Sequence, residues 1–79
     1  MVVQILGTGC PKCQALEANA RAAIQSLGLQ AEVKKITDLN EIMGMGVMVT
    51  PALAIDGTVK SAGRLLTAAQ IADVLRGGK

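Results

Sequence analysis

Val2-Val3-Gln4-Ile5-Leu6-Gly7-Thr8-Gly9-Cys10-Pro11-Lys12-Cys13 runs from an apolar, β-branched stretch through a glycine turn into two cysteines set two residues apart. Residues 2–6 read as a buried strand, because the run is almost continuously apolar. Pro11 suits the first turn of a helix, where its missing N–H costs nothing. A helix is predicted over 11–27, since Cys13, Leu16, Ala20, Ile24 and Leu27 recur at three- and four-residue steps and form one apolar stripe. Glu17 and Arg21 make an i,i+4 pair off that stripe, and Gly28 is the expected stop. Strand, turn and helix together place two thiols where unpaired backbone N–H groups converge. Thiols in that setting point to thiol–disulfide chemistry.

The rest of the chain supplies partners for this unit. Residues 30–36 are strand-like but imperfectly alternating, with Ala31, Val33 and Lys35 against Glu32, Lys34 and Ile36; Val33 and Ile36 cannot share a face. Asp38 with Glu41 resembles a capping box, predicting a short helix over 39–43 ended by Gly44. A loop from Met45 leads to Thr50-Pro51. Strands over 52–55 and 58–60 flank Asp56-Gly57, a strong two-residue hairpin signal. Thr67 and Gln70 form a capping box, Leu66 and Ile71 a hydrophobic staple, and Ile71, Val74 and Leu75 a buried face. Gly77-Gly78 ends this helix, and 77–79 reads as a loose tail. The predicted order is β-α-β-α-β-β-α: an α/β domain spanning 1–79, with a four-stranded mixed sheet, a right-handed βαβ start and helices on both faces.

In this order of elements the chain resembles the thioredoxin-fold superfamily, and within it the short, glutaredoxin-sized "redox-active disulfide" proteins. Cys10-Pro11-Lys12-Cys13 follows the first strand, Thr50-Pro51 precedes the third, and a hairpin and terminal helix follow. The stretches Thr50-Pro51-Ala52-Leu53-Ala54-Ile55-Asp56-Gly57 and Ser61-Ala62-Gly63-Arg64 carry the likeness further. The resemblance implies a dithiol–disulfide oxidoreductase with a cis bond before Pro51, beside the active site. Thr50 and Pro51 would then hold an extended substrate segment by strand addition. Three positions depart from the family pattern. Gly9 stands where thioredoxins carry Trp, Gln4 where they carry a buried acid, and Lys12 where glutaredoxins often carry Tyr.

The helix separates the two sulfurs by role. Cys10 at the N-cap faces orphan N–H groups and the positive end of the helix dipole, so its thiolate is favoured and it attacks. Pro11 and Lys12 tune it. Cys13 lies on the apolar stripe and resolves the mixed disulfide. No histidine is present to take the Cys13 proton, leaving Thr8, Gln4 or water.

Composition removes other chemistries. The 79 residues include no Phe, Tyr, Trp or His and only two Cys. Imidazole catalysis and aromatic stacking on nucleobases are excluded. A structural zinc site wants four ligands, which would require two chains sharing four thiolates. Copper(I) needs fewer soft ligands, so a Cu(I) carrier using Cys10 and Cys13 is the alternative reading. The element order disfavours it, because small copper chaperones are β-α-β-β-α-β proteins. Met43, Met45 and Met48 could also bind a soft metal, but they read better as core filler and an adaptable apolar rim near Pro51.

The net charge of +2 comes from eight basic and six acidic residues that form no stripe, giving no case for nucleic acid. Glu17, Arg21, Lys34 and Lys35 read as solvated faces. Gly63 either ends the fourth strand or lets a ligand approach closely, the strand end being favoured. No apolar run reaches membrane-spanning length, and no signal sequence is visible. Read as complete, the chain is expected to be a cytoplasmic monomer that reduces protein or small-molecule disulfides. Nothing resembles a flavin or nicotinamide motif, so no cofactor is expected. Electrons would come from a thioredoxin-reductase-type flavoprotein or from glutathione.

Overall fold

The computed structural model describes residues 1–77. Its order is β1 (Val2–Leu6), α1 (Pro11–Leu27), β2 (Glu32–Ile36), α2 (Leu39–Gly44), β3 (Ala52–Ile55), β4 (Thr58–Ala62) and α3 (Ala68–Leu75). Gly78 and the last residue of the expected loose tail, Lys79, lie outside the described residues. The four strands form one mixed sheet in the order β2-β1-β3-β4. β1 pairs parallel with β2 and antiparallel with β3, and β3 pairs antiparallel with β4.

The continuous apolarity of β1 follows from its central place in the sheet. Val3 and Ile5 join Leu16, Ala20, Ala23 and Ile24 of α1, Leu53 of β3, and Ile71 and Leu75 of α3 in the larger core cluster. Leu6 points to the other face, where Ile42, Val47, Ala52 and Ala54 form a smaller cluster. Val33 packs on the first cluster and Ile36 on the second, so β2 also divides its apolar residues between the faces. Leu16, Leu53 and Ile71 are fully buried, and truncating any of them to alanine removes about 2–5 kcal/mol. Asn19 of α1 donates to the Leu66 carbonyl at 2.8 Å, tying α1 to the segment that leads into α3.

The helix ends differ in detail from the sequence reading. Thr67 and Gln70 form the full reciprocal capping box of α3. Asp38 caps α2 through the Asn40 N–H at 2.8 Å, without a reciprocal bond from Glu41. α2 continues through Gly44 to a C-cap at Met45, and Gly46 follows at a φ of +83°, the left-handed conformation that ends helices. In α3, Val74 is only half-buried, and Ala72 packs against the core instead.

β4 extends two residues beyond the predicted strand. Ala54 pairs with Val59 but Leu53 pairs with Ser61, so Lys60 is an extra residue in a bulge. Such a bulge breaks the alternation on which a sequence reading depends. The hairpin turns at Asp56 and Gly57, both at positive φ (51° and 87°), as a two-residue turn of this hand requires. β1 holds its tip: Asp56 Oδ1 accepts from the Val2 N–H, and the Gln4 side-chain Oε1 accepts from the Gly57 N–H, each at 2.8 Å. Gly63 ends β4, as expected, and it is also a place of close approach. The neighbour is the chain's own Val49, whose Cγ1 would lie 2.7 Å from a Cβ at Gly63. Among the described residues no helix is long and apolar enough to cross a membrane.

Candidate active site

The site forms where the C-terminal end of β1 meets the N-terminus of α1. Cys10 is the N-cap of α1, in extended backbone conformation, and Pro11 occupies the first helical position. The Cys10 Sγ accepts the Cys13 N–H at 3.3 Å, taking up one of the orphan donors of the first turn. The Cys10 carbonyl accepts from Gln14 N at 3.0 Å, and the Gln14 side chain donates to the Gly9 carbonyl at 3.1 Å, which pins the turn before the cysteines. Cys10 is partly exposed and Cys13 is buried; both are free thiols.

This asymmetry sets their acidity. The Cys13 thiol donates to Cys10 and lowers the Cys10 pKa, with further help from the backbone N–H groups of Cys13 and Lys12. Burial raises the Cys13 pKa; its hydrogen bond to Cys10 and the nearby Cys10 charge push the same way. Because the thiolate is the nucleophile, Cys10 should be alkylated by iodoacetamide with a midpoint below the ordinary value of about 8.5, while Cys13 stays protected to higher pH. Equal rates at the two sulfurs across that range would contradict the assignment.

Thr50 and Pro51 come to the same place. Their peptide bond is cis. Gly7, the first residue after β1, lies between this loop and the helix: a Cβ there would overlap Cys13 Sγ and lie 3.8 Å from Thr50 Cβ. Pro51 is buried and Thr50 exposed, and the Pro51 carbonyl accepts from the Gly63 N–H at 2.8 Å. Gly7 escaped the sequence reading, although a glycine directly between a buried strand and the turn before two cysteines was its available signal.

A cavity of about 100 Å³ opens beneath Cys13, lined also by Gly7, Gly9, Gln14, Glu17, Lys35 and Thr37. This corrects the reading of Glu17 as merely solvated, its side chain being 17% exposed, whereas Lys35 is 62% exposed, as that reading has it. Lys35 shares the β2 face of Val33, which turns toward α1, and Glu17 lies one helical turn beyond Cys13. Gln4 is removed as a candidate for the Cys13 proton. It lies on the opposite sheet face from α1, and its side chain is engaged at the hairpin. Met45 fills the smaller core cluster as expected of filler, while Met43 and Met48 are exposed. Among the described residues no group of three or more His, Cys, Asp or Glu is placed to hold a metal ion.

Comparison with known proteins agrees with this geometry. A family model described as "Thioredoxin domain" matches residues 1–76. The chain is 44% identical over 75 residues to a thioredoxin of Methanothermobacter thermautotrophicus, covering 95% of this chain and 97% of the relative. It is 40% identical over 76 residues to a thioredoxin of Methanocaldococcus jannaschii, covering 96% and 87% respectively. With a four-stranded mixed sheet, flanking helices and these relatives, the chain belongs to the thioredoxin family of thiol–disulfide oxidoreductases.

Proposed function

We propose that the chain, acting as one domain over 1–79, reduces protein or small-molecule disulfides in the cytoplasm through the Cys10–Cys13 dithiol. The observation that carries this reading is the N-cap geometry: a partly exposed sulfur that accepts the Cys13 N–H, directly above a second, buried thiol. Cys10 thiolate attacks one sulfur of the substrate disulfide, releasing the first substrate thiol and forming a mixed disulfide. Cys13 then attacks the Cys10 sulfur, the second substrate thiol leaves, and the Cys10–Cys13 disulfide remains. Two electrons pass to the substrate. They are restored by a thioredoxin-reductase-type flavoprotein or by glutathione.

Thr50 and Pro51 receive the substrate. The Thr50 backbone has no hydrogen-bond partner among the described residues, which suits pairing with an extended segment. Met48, Val49 and Leu65 are exposed apolar side chains on the loops beside it, an adaptable rim suited to varied protein partners.

The test combines a potential with a trap. The Cys10–Cys13 couple should titrate near the value of about −270 mV typical of a reductant, not near about −120 mV. Cys13→Ser should accumulate mixed disulfides with substrate, visible by mass spectrometry. Tight Cu(I) binding without turnover of any model disulfide would replace this reading with the metal-carrier alternative.

A further inference from the structure

Resolution of the mixed disulfide requires Cys13 to lose its proton, and Cys13 is buried. On the reading of the dithiol given above, the question is which group accepts that proton. The cavity beneath Cys13 has one carboxylate in its wall, Glu17. Of its other lining residues, Gln14 and Thr37 are poor bases and the Lys35 ammonium has donors but no acceptor.

Glu17 is held in a defined orientation. Its Oε2 accepts two hydrogen bonds from Arg21, at 2.8 Å from Nη2 and 3.1 Å from Nε. Its Oε1 lies 3.8 Å from Lys35 Nζ, beyond hydrogen-bond reach, and accepts no hydrogen bond among the described residues. One carboxylate oxygen is thus anchored and the other remains available. The side chain is 17% exposed, so it lies at the boundary between the cavity and solvent.

Distance and room both fit. Cys13 and Glu17 are four residues apart on α1, which sets their Cβ atoms about 5–6 Å apart on the helix surface. A cavity of about 100 Å³ with polar side chains in its wall admits water, so a proton can pass from Sγ to Oε1 through it. The Lys35 ammonium, in the same wall, offsets the second negative charge that appears when Cys13 ionises beside the Glu17 carboxylate. The charged groups around the step are therefore Glu17 and Arg21 from α1, Lys35 from β2, and Cys10 itself.

We propose that Glu17 accepts the Cys13 proton, through water in this cavity, as Cys13 attacks the mixed disulfide. In that step the Cys13 S–H bond breaks and the proton goes to Glu17. The Cys13 electron pair forms the bond to Cys10, and the substrate thiolate departs. When the pair is reduced again, Cys13 leaves as thiolate and Glu17 returns the proton.

Reduced protein mixed rapidly with an aromatic disulfide, whose thiolates absorb visible light, reports both steps as two phases of release. In Glu17→Gln the first phase should match wild type. The second should slow about tenfold, below the usual ~10²–10⁴ of direct acid–base catalysis because the proton crosses water. Its rate should then rise in proportion to hydroxide, whereas the wild-type second phase should be less steep through neutral pH. Glu17→Asp should recover part of the rate, and thermal melts of the variants show whether each is folded. An unchanged second phase and pH profile in a folded Glu17→Gln protein would overturn the proposal while leaving the dithiol mechanism standing. A wild-type protein showing no first phase would instead overturn the mechanism itself.

Discussion

Cys10→Ser is expected to abolish disulfide reduction while leaving the fold intact. A serine hydroxyl forms no disulfide, and at neutral pH it offers no appreciable oxyanion to attack one. The remaining thiol, Cys13, is buried and held above its ordinary pKa, so it cannot take over. Turnover of a model disulfide should fall to the uncatalysed level. Stability should behave differently, because Cys10 is also the N-cap of α1 and serine is a preferred residue there. Its Oγ can accept the Cys13 N–H that Cys10 Sγ accepts now. Thermal melts should place the reduced variant within about 4 °C of reduced wild type.

The pH dependence of stability supplies a sharper readout. The Cys10 pKa is lowered in the fold, so its contribution to stability is present above the unfolded thiol value and lost as pH falls through the folded one. Reduced wild type should therefore gain stability as pH rises across that window, and Cys10→Ser should not. Cys13 has the opposite sign: its raised pKa contributes below the unfolded value, and that contribution is lost as pH climbs through the folded one. Full turnover by Cys10→Ser would sink the assignment of roles.

Gly7→Ala should impair both stability and chemistry. Gly7 is buried, and an added Cβ would overlap Cys13 Sγ and lie 3.3 Å from Cys13 Cβ. Overpacking of this kind costs about 1–3 kcal/mol. The sulfur must yield, and in doing so it weakens the thiol hydrogen bond that favours the Cys10 thiolate. The alkylation midpoint of Cys10 should therefore move up toward that of an ordinary thiol. Resolution should slow, because Cys13 no longer lies where it attacks Cys10. Gly44→Ala is the matched control. Nothing lies within 4 Å of a Cβ there, and the residue belongs to a helix, so that change should be neutral or stabilising by up to about 1 kcal/mol. A Gly7→Ala protein with wild-type stability and an unshifted Cys10 would show that the overlap is relieved without consequence.

The parts of the fold legible in the sequence were those written in local chemistry. The stripe from Cys13 to Leu27 and the Pro11 start bounded α1 to the residue, and Thr67 with Gln70 placed the start of α3. Asp56-Gly57 located the hairpin because a two-residue turn of this hand demands those backbone angles. What escaped depended on contacts between distant segments. The end of β4 was missed because the bulge at Lys60 is a property of pairing with β3 rather than of the β4 sequence. Gly44 and Gly46 read alike as letters, and only backbone conformation shows which of them stops α2. In the site, Cys10 and Cys13 were legible from spacing alone. Glu17 and Lys35 were not, because 17 residues of chain lie between them and only the parallel pairing of β1 with β2 brings Lys35 back to the helix.

The sheet of four strands has two open sides, β2 and β4, and each is guarded against a second chain adding a strand there. On β2, Glu32, Lys34 and Lys35 are all exposed, so an incoming strand would have to be laid beside charged side chains. On β4, the bulge puts Lys60 out of step with its neighbours, and a straight ladder cannot continue past it. On the proposed reading, in which extended segments bind transiently at Thr50, the other backbone edges must not do the same. The irregularity that hid the end of β4 from the sequence also closes that edge to strand addition, which the proposed function reserves for the loop beside the cysteines.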